Sequence, residues 1–238
     1  MTRTRETERV AAALVNARRT HTTCEAGGYA HLLDGAGDAY EVQRLVARAL
    51  GEGEPRFWKS GGPSRSATLT HAALPAAGVM RSPADARAMH FNFRWIEAEI
   101  ALRLGRARAP EAMCVSIEIV DSRWTENVDA PPLARLADLQ SHGALVLGDW
   151  VPFEQRDWSR QRCEVSIGAQ QEGFTGSHSL GDPAWLLPAW LEHAERHGLE
   201  RVEGAVVTTG TWCGMLRVNA GDLVIVRFPG IGEARVQL

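Results

Sequence analysis

The chain holds a single lysine, Lys59, against 25 arginines, and no run of apolar residues approaches the ~20 needed to cross a bilayer. Its Arg-rich start, Met1-Thr-Arg-Thr-Arg5, meets Glu6 and Glu8 at once, where a secretory leader would continue into an apolar stretch. Both absences lead to the expectation of a cytoplasmic protein off the membrane. An excess of positive charge is missing too. The 26 basic residues face 29 acidic ones for a net charge of -3, which removes the electrostatic case for nucleic acid. The four cysteines, Cys24, Cys114, Cys163 and Cys213, form no C-x-x-C pair, so structural zinc and a dithiol redox site are excluded and reduced thiols are expected. The chain has no H-E-x-x-H, G-x-S-x-G, Walker A sequence or dinucleotide fingerprint after a strand. Zinc peptidase, α/β serine hydrolase and nucleotide chemistry thereby lose their usual anchors.

What is present suits a globular enzyme. Hydrophobic residues make up 45% of the 238, enough for a sizeable core without disulfides. Residues 6–19 carry Val10, Ala13, Leu14 and Ala17 at helical spacing. Residues 38–50 repeat the pattern with Tyr40, Val42, Val46 and Leu50, Asp38 as the candidate cap and Gly51 as the stop. These two segments predict a helical layer over residues 1–52, followed by a β-rich body over 53–238, the two forming one continuous unit. Within that body, residues 54–60, 115–120 and 144–147 read as strands. Residues 182–197 read as one late helix with Pro188 inside it, and residues 204–238 as a β-meander or roll. Residues 89–104 are ambiguous: the second half holds good helix formers, while Phe91, Phe93 and Trp95 alternate as in a strand. The class is α+β.

Glu97 and Glu99 are the most informative pair. In a strand they point to one face, which Phe91, Phe93 and Trp95 would begin as apolar and the two glutamates end as acidic. Two buried carboxylates side by side cost several kcal/mol unless a proton or cation compensates them, roughly the penalty of an unpaired buried charge. Hard oxygen donors suit Mg2+ or Mn2+. On an exposed helix, the same Glu-x-Glu would be a solvated face. Glu118 sits among apolar neighbours in Val115-Ser-Ile-Glu-Ile-Val-Asp-Ser-Arg123, where burial calls for a partner: a shared cation, or an ion pair with Arg123 or another arginine. Asp121 is a weaker ligand candidate. Lys59, before the Gly61-Gly-Pro-Ser64 turn, is either a surface lysine or a point charge for a carboxylate. His178, between Gly176 and Gly181, lies in a binding loop or a plain turn.

Taken in order, these pieces resemble the 2-keto-4-pentenoate hydratase group of the fumarylacetoacetate hydrolase superfamily. The segments that carry the resemblance are Ala39-Tyr-Glu-Val-Gln43, Trp58-Lys-Ser-Gly61, Ile96-Glu-Ala-Glu-Ile-Ala-Leu102, Ile117-Glu-Ile-Val-Asp-Ser-Arg123, Ala137-Asp-Leu-Gln-Ser-His-Gly143 and Gly181-Asp-Pro183 with the helix after it. The resemblance implies a mixed β-roll or β-sandwich body and a divalent metal, Mg2+ or Mn2+, on Glu97, Glu99 and Glu118. It implies Lys59, Ser141 and Asp138 as catalytic residues, a small 2-oxo acid as substrate and a homo-oligomer. Hydration of a 2-oxo-4-enoic acid, decarboxylation of a 2-oxo diacid and C–C hydrolysis of an acylpyruvate all pass through one enolate. A binding protein that has lost catalysis is the other reading. The chain departs from the group at Phe57, in place of a glycine, and at Leu139, in place of an asparagine. It also lacks an aspartate in Leu74-Pro-Ala-Ala-Gly78, and Asp85 does not align with one.

Overall fold

Val10, Ala11, Leu14, Val15 and Ala17 bury one side of a helix, α1, that runs from Thr2 to Thr20 in the computed structural model, which describes residues 2–238. Helix α2 (Ala36–Leu50) lies against it and ends as expected at Gly51, whose φ of 75° is a left-handed conformation that suits glycine. Asp38 is not its cap. Gly35 holds that position, and Asp38 stands in the first turn, where Oδ2 accepts the Asp34 N–H at 2.8 Å and its charge suits the helix dipole. A short helix α3 (Pro132–Ala137) completes the layer, and Trp124 fills its centre, donating Nε1–H to the Ala134 carbonyl at 2.7 Å.

The body is built from strands β1 (Phe57–Gly61), β2 (Thr70–Leu74), β3 (Val79–Arg81), β4 (Ala84–Asp85), β5 (Trp95–Leu104), β6 (Pro110–Val120) and β7 (His142–Leu147). It continues with β8 (Val151–Pro152), β9 (Arg162–Ile167), β10 (Gln170–Thr175), β11 (Val206–Thr208), β12 (Leu216–Arg217), β13 (Leu223–Phe228) and β14 (Gly232–Gln237). A nine-stranded mixed sheet runs β2-β1-β11-β5-β6-β7-β3, with β12 on β5 and β8 on β6; a five-stranded sheet runs β10-β9-β13-β14-β4. Their inner faces meet in one core, to which Ile96, Ile100, Val115 and Ile117 contribute from the large sheet and Val165, Val224, Val226 and Val236 from the small one. The α+β class, the helical layer and the late helix are as expected.

Three local expectations change. Residues 89–104 resolve as strand only from Trp95. Phe91 and Phe93 lie in the preceding loop, so they do not begin the acidic face. Helix formers such as Ala98, Leu102 and Leu104 are pulled into β5 because both faces of that strand are buried. The late helix is a tight turn at Pro183–Leu186 followed by α4 (Leu187–Arg196), so Pro188 sits in a first turn and removes no needed hydrogen bond. The segment 204–238 is not one meander: β11 and β12 join the large sheet beside β5, and β13–β14 form a hairpin in the small one.

The outer face of the large sheet bears Lys59, Thr208, Glu97, Glu99, Ser116 and Glu118, with apolar neighbours beside them: Ala101 lies opposite Thr208 and Cys114, Leu147 opposite Ser116 and Leu145 opposite Glu118. The helical layer meets the large sheet at β2, which both α2 and α3 contact. Gln43 of α2 ties the two together, donating Nε2–H to the carbonyls of Leu136 at 2.7 Å and His71 at 3.2 Å.

Candidate metal centre

The β5–β6 hairpin sets Glu97 directly opposite Glu118, and Glu99 follows two residues on, facing Ser116. Alternation therefore sends all three carboxylates to one face. One oxygen from each lies within 4.8 Å of the others, a group that could hold a metal ion. Like charges directly across a strand pair repel, and burial sharpens the repulsion. Glu118 is 0% exposed and Glu99 1%, while Glu97 is half-buried at the cavity wall. Burial, with added repulsion from Glu118, pushes the Glu97 carboxyl up to about 8 and the Glu99 carboxyl up to about 7.

Glu118 goes the other way. Burial would raise it, but the Lys59 ammonium and the His142 ring hold it below the ordinary carboxylate value. Lys59 Nζ donates to Glu118 Oε1 at 2.6 Å and to the Gln140 carbonyl at 3.4 Å, and His142 Nδ1–H reaches the same Oε1 at 3.0 Å. Burial would lower the Lys59 pKa, yet Glu118, Glu97 and Glu99 together outweigh it and keep the ammonium charged. Glu99 Oε2 accepts from Thr208 Oγ1 and from the Gly210 N–H at 3.1 Å. Gly210 has φ 103°, a conformation that suits glycine, and His178 Nε2–H holds the same turn through the Thr209 carbonyl at 2.7 Å. His178 is thus a buried support of this turn rather than a ligand.

The donor set fits a hard divalent cation. Glu118 Oε2 is buried with no hydrogen-bond partner, no hydrogen bond perturbs Glu97, and Glu99 accepts its side-chain bonds through one oxygen. Three carboxylate oxygens thus converge with little hydrogen bonding to satisfy them, an arrangement that a +2 charge neutralises.

The loop after α3 delivers the rest. Leu139, Gln140 and Ser141 take φ values of 53°, 55° and 60° in succession, a left-handed run that costs side-chain-bearing residues roughly 1–2 kcal/mol each. It aims the Gln140 carbonyl at Lys59 and sets Ser141 on the cavity wall. Asp138 does not reach that wall. It is wholly buried, with Oδ1 accepting from Arg18 Nη2 at 2.9 Å and Arg123 Nε at 2.8 Å, and Oδ2 from the Arg123 N–H at 2.9 Å. Its expected catalytic place is corrected to that of an anchor beneath the loop, because its oxygens are committed to two guanidinium groups and a backbone N–H. Asp121 likewise pairs with Arg123 at 3.3 Å and is no ligand.

A cavity of about 780 Å3 opens onto Lys59, Glu97, Glu99 and Ser141, and α3 forms its opposite side. Among the described residues, no aspartate lines this cavity in place of the one missing after the lysine segment. Leu74, Pro75 and Ala76 line a separate cavity of about 390 Å3 beside α2, and Asp85 is tied to Arg87 in the small sheet. Sequence reading passed over His142, Thr208, Gly210 and Gln140. A polar Thr-Thr-Gly-Thr run closing the apolar β11 was a readable signal for two of them; His142 had none.

The fumarylacetoacetate hydrolase C-terminal family model matches residues 70–238. The chain belongs to the fumarylacetoacetate hydrolase family. Several solved structures share the fold at low identity. A 4-oxalocrotonate decarboxylase from Pseudomonas putida G7, complexed with magnesium and adipate, superposes with a TM-score of 0.81 at 21% identity, over 100% of this chain and 98% of that one. The same enzyme with calcium and acetate gives 0.80 at 20%, over 98% and 97%. A fumarylpyruvate hydrolase from Pseudomonas aeruginosa, in complex with Mn2+ and pyruvate, gives 0.51 at 15%, over 76% and 88%. No curated protein matches this family member.

Proposed function

We propose that this chain is an Mg2+- or Mn2+-dependent lyase acting on a small 2-oxo acid, of the 2-keto-4-pentenoate hydratase type, with Glu97, Glu99 and Glu118 as the metal ligands. The observation that carries the reading is the convergence of three carboxylate oxygens within 4.8 Å, on one cavity with a half-buried lysine paired to Glu118. When bound, the cation would supply Lewis-acid stabilisation to the 2-oxo group as it becomes an enolate.

The chain's own groups do the rest. An ammonium has three N–H bonds; two of Lys59's are engaged by Glu118 and the Gln140 carbonyl, which leaves one for the substrate. Lys59 stands on the cavity wall beside the proposed ligands and anchors the substrate carboxylate as a point charge. Ser141 Oγ–H donates to a substrate oxygen. Thr208 and Gly210 fix the rotamer of Glu99, and neutral His142 fixes that of Glu118. Leu133, Leu136 and Val128 of the helical layer narrow the access of water.

A second reading, decarboxylation of a vinylogous 2-oxo diacid, is favoured by one feature. Among the described residues, no carboxylate or imidazole beyond the proposed ligands lines the cavity to take a proton from water. Assembly as a homo-oligomer in the cytoplasm belongs to the same proposal. The test is product analysis by NMR with 2-hydroxypenta-2,4-dienoate, a vinylogous 2-oxo diacid and an acylpyruvate, each with Mg2+ and with Mn2+. Hydration of the dienoate, abolished in Glu97→Gln, is the expected result. Loss of CO2 from the diacid alone would move the assignment to the second reading. Absence of turnover with every substrate and both metals would overturn the enzyme.

A further inference from the structure

The cavity beside α2, about 390 Å3, is lined by two histidines from the end of α4. His193 stands in the last turn of that helix and His197 at its C-terminal cap. Residues four apart on a helix lie one above the other. The two rings are 4.1 Å apart between centroids, with their planes inclined by 20°. His197 is exposed and His193 half-buried, so the pair is open to an ion from solvent. Two other elements hold the rings in place. His71 of β2 stacks on His193 at 4.5 Å and has its own Nδ1 engaged with Ser60 Oγ at 2.9 Å. Tyr40 of α2 lies 4.3 Å from the His193 ring and 5.4 Å from that of His197.

The four ring nitrogens are free to bind. Among the described residues, no group of the chain hydrogen-bonds to the ring of His193 or His197, whereas His71, His142 and His178 are each engaged. Burial above all holds both rings below the ordinary histidine value, His193 at about 3, so each is neutral at pH 7 and carries a lone pair. Positive charge nearby is matched: Arg196 pairs with Glu192, and Arg44 and Arg56 of the cavity wall with Glu41 and Glu54. Paired neutral imidazoles at this helical spacing suit Zn2+, Ni2+ or Cu2+, while Mg2+ seeks oxygen.

We propose that His193 and His197 form a second metal site, for a borderline divalent ion of the Zn2+, Ni2+ and Cu2+ class. The chain supplies two ligands and water completes the coordination, in contrast to the three converging oxygens of the carboxylate cluster. The proposal does not depend on the 2-oxo acid reading. The two sites are nonetheless neighbours. Trp58 and Leu139 line the histidine cavity, and the residues that follow them, Lys59 and Gln140, line the other.

The experiment is calorimetric titration of the full-length, tag-free protein with NiCl2 in saturating Mg2+, on wild type, His197→Gln, His193→Gln and Glu97→Gln. The melting temperature of each variant is checked without added Ni2+. Wild type and Glu97→Gln are expected to bind one equivalent of Ni2+ with affinities within threefold of each other. His197→Gln, a change at an exposed residue, should weaken binding at least tenfold, and His193→Gln should do the same. Bound Ni2+ should raise the melting temperature of wild type and leave that of His197→Gln unchanged. Electron paramagnetic resonance of the protein with one equivalent of Cu2+ should show nitrogen hyperfine splitting that disappears in His197→Gln. Ni2+ binding that is unchanged in His197→Gln, or that is lost in Glu97→Gln, would place the ion elsewhere and overturn the proposal. Absence of Ni2+ binding by wild type would reduce the histidine stack to aromatic packing and overturn it too.

Discussion

Glu118 gives its Oε1 to both Lys59 and His142 and leaves Oε2 buried and unpaired. Glu97 and Glu99 have no comparable cation, and burial drives their carboxyls up to about 8 and about 7. Replacing one of them should separate stability from function. Glu97→Gln should lower kcat/KM by at least ~100-fold and weaken Mg2+ binding by ~10- to 100-fold. In EDTA at pH 7 its melting temperature should be no lower than that of wild type, because a Glu97 carboxyl pushed up to about 8 is mostly protonated there and glutamine keeps that neutral shape. Differential scanning fluorimetry with EDTA and with Mg2+ checks both halves. The pH dependence follows from the same two groups. Their folded pKa values lie above the ordinary carboxylate value, so the stability they contribute is complete below about pH 4.5 and is lost as pH rises through 7 and 8. The metal-free melting temperature should therefore fall between pH 5 and pH 8 more steeply in wild type than in Glu97→Gln. Saturating Mg2+ should flatten the slope, and a pH-stat at pH 7 should record proton release on metal addition.

At the scale of elements, the loop after α3 matters more than its length suggests. Its three left-handed residues hold Gln140 and Ser141 at the cavity, and Asp138 holds the loop through Arg18 of α1 and Arg123 beyond β6. Asp138→Ala would leave the Arg123 guanidinium, on a residue only 4% exposed, without its main partner. The expected loss is ~3–5 kcal/mol in urea unfolding. The accompanying fall in kcat should far exceed any change in Mg2+ affinity, since all three acids stand on β5 and β6 and not on the loop. The β5–β6 hairpin is the rigid element of the site. The Glu97–Glu118 pairing lies in its interior register, away from the irregularity at Arg103 and Leu104. The ligand geometry therefore belongs to the sheet, and the substrate-facing groups to the loop and to the helical layer.

On the scale of the whole molecule, the helical layer is part of the cavity. Trp124, Ala134 and Leu136 share a core with Val10, Leu14 and Val42 of α1 and α2, and Arg18 closes the buried pair with Asp138. A chain lacking residues 1–52 should fail to give a cooperative unfolding transition, as measured by circular dichroism and limited proteolysis. A stable, metal-binding fragment 53–238 would show instead that the body folds alone.

The sequence by itself determined the α+β class and the helical layer, because amphipathic periodicity is a local signal; Glu97, Glu99, Glu118 and Lys59 stood out in it as charges with a partner to find, and Ser141 entered only through the family resemblance. It also suggested Asp138, and there the reading stopped at neighbourhood: a residue two or three positions from a site is near it, but only the fold says which way its oxygens point. The tertiary structure decided that Glu97 faces Glu118 across a strand pair, that Thr208, Gly210 and His142 orient the acids, and that residues 204–238 divide between two sheets. Those are long-range pairings, set by which face is buried against which partner, and the same alternating pattern in the chain is compatible with more than one of them.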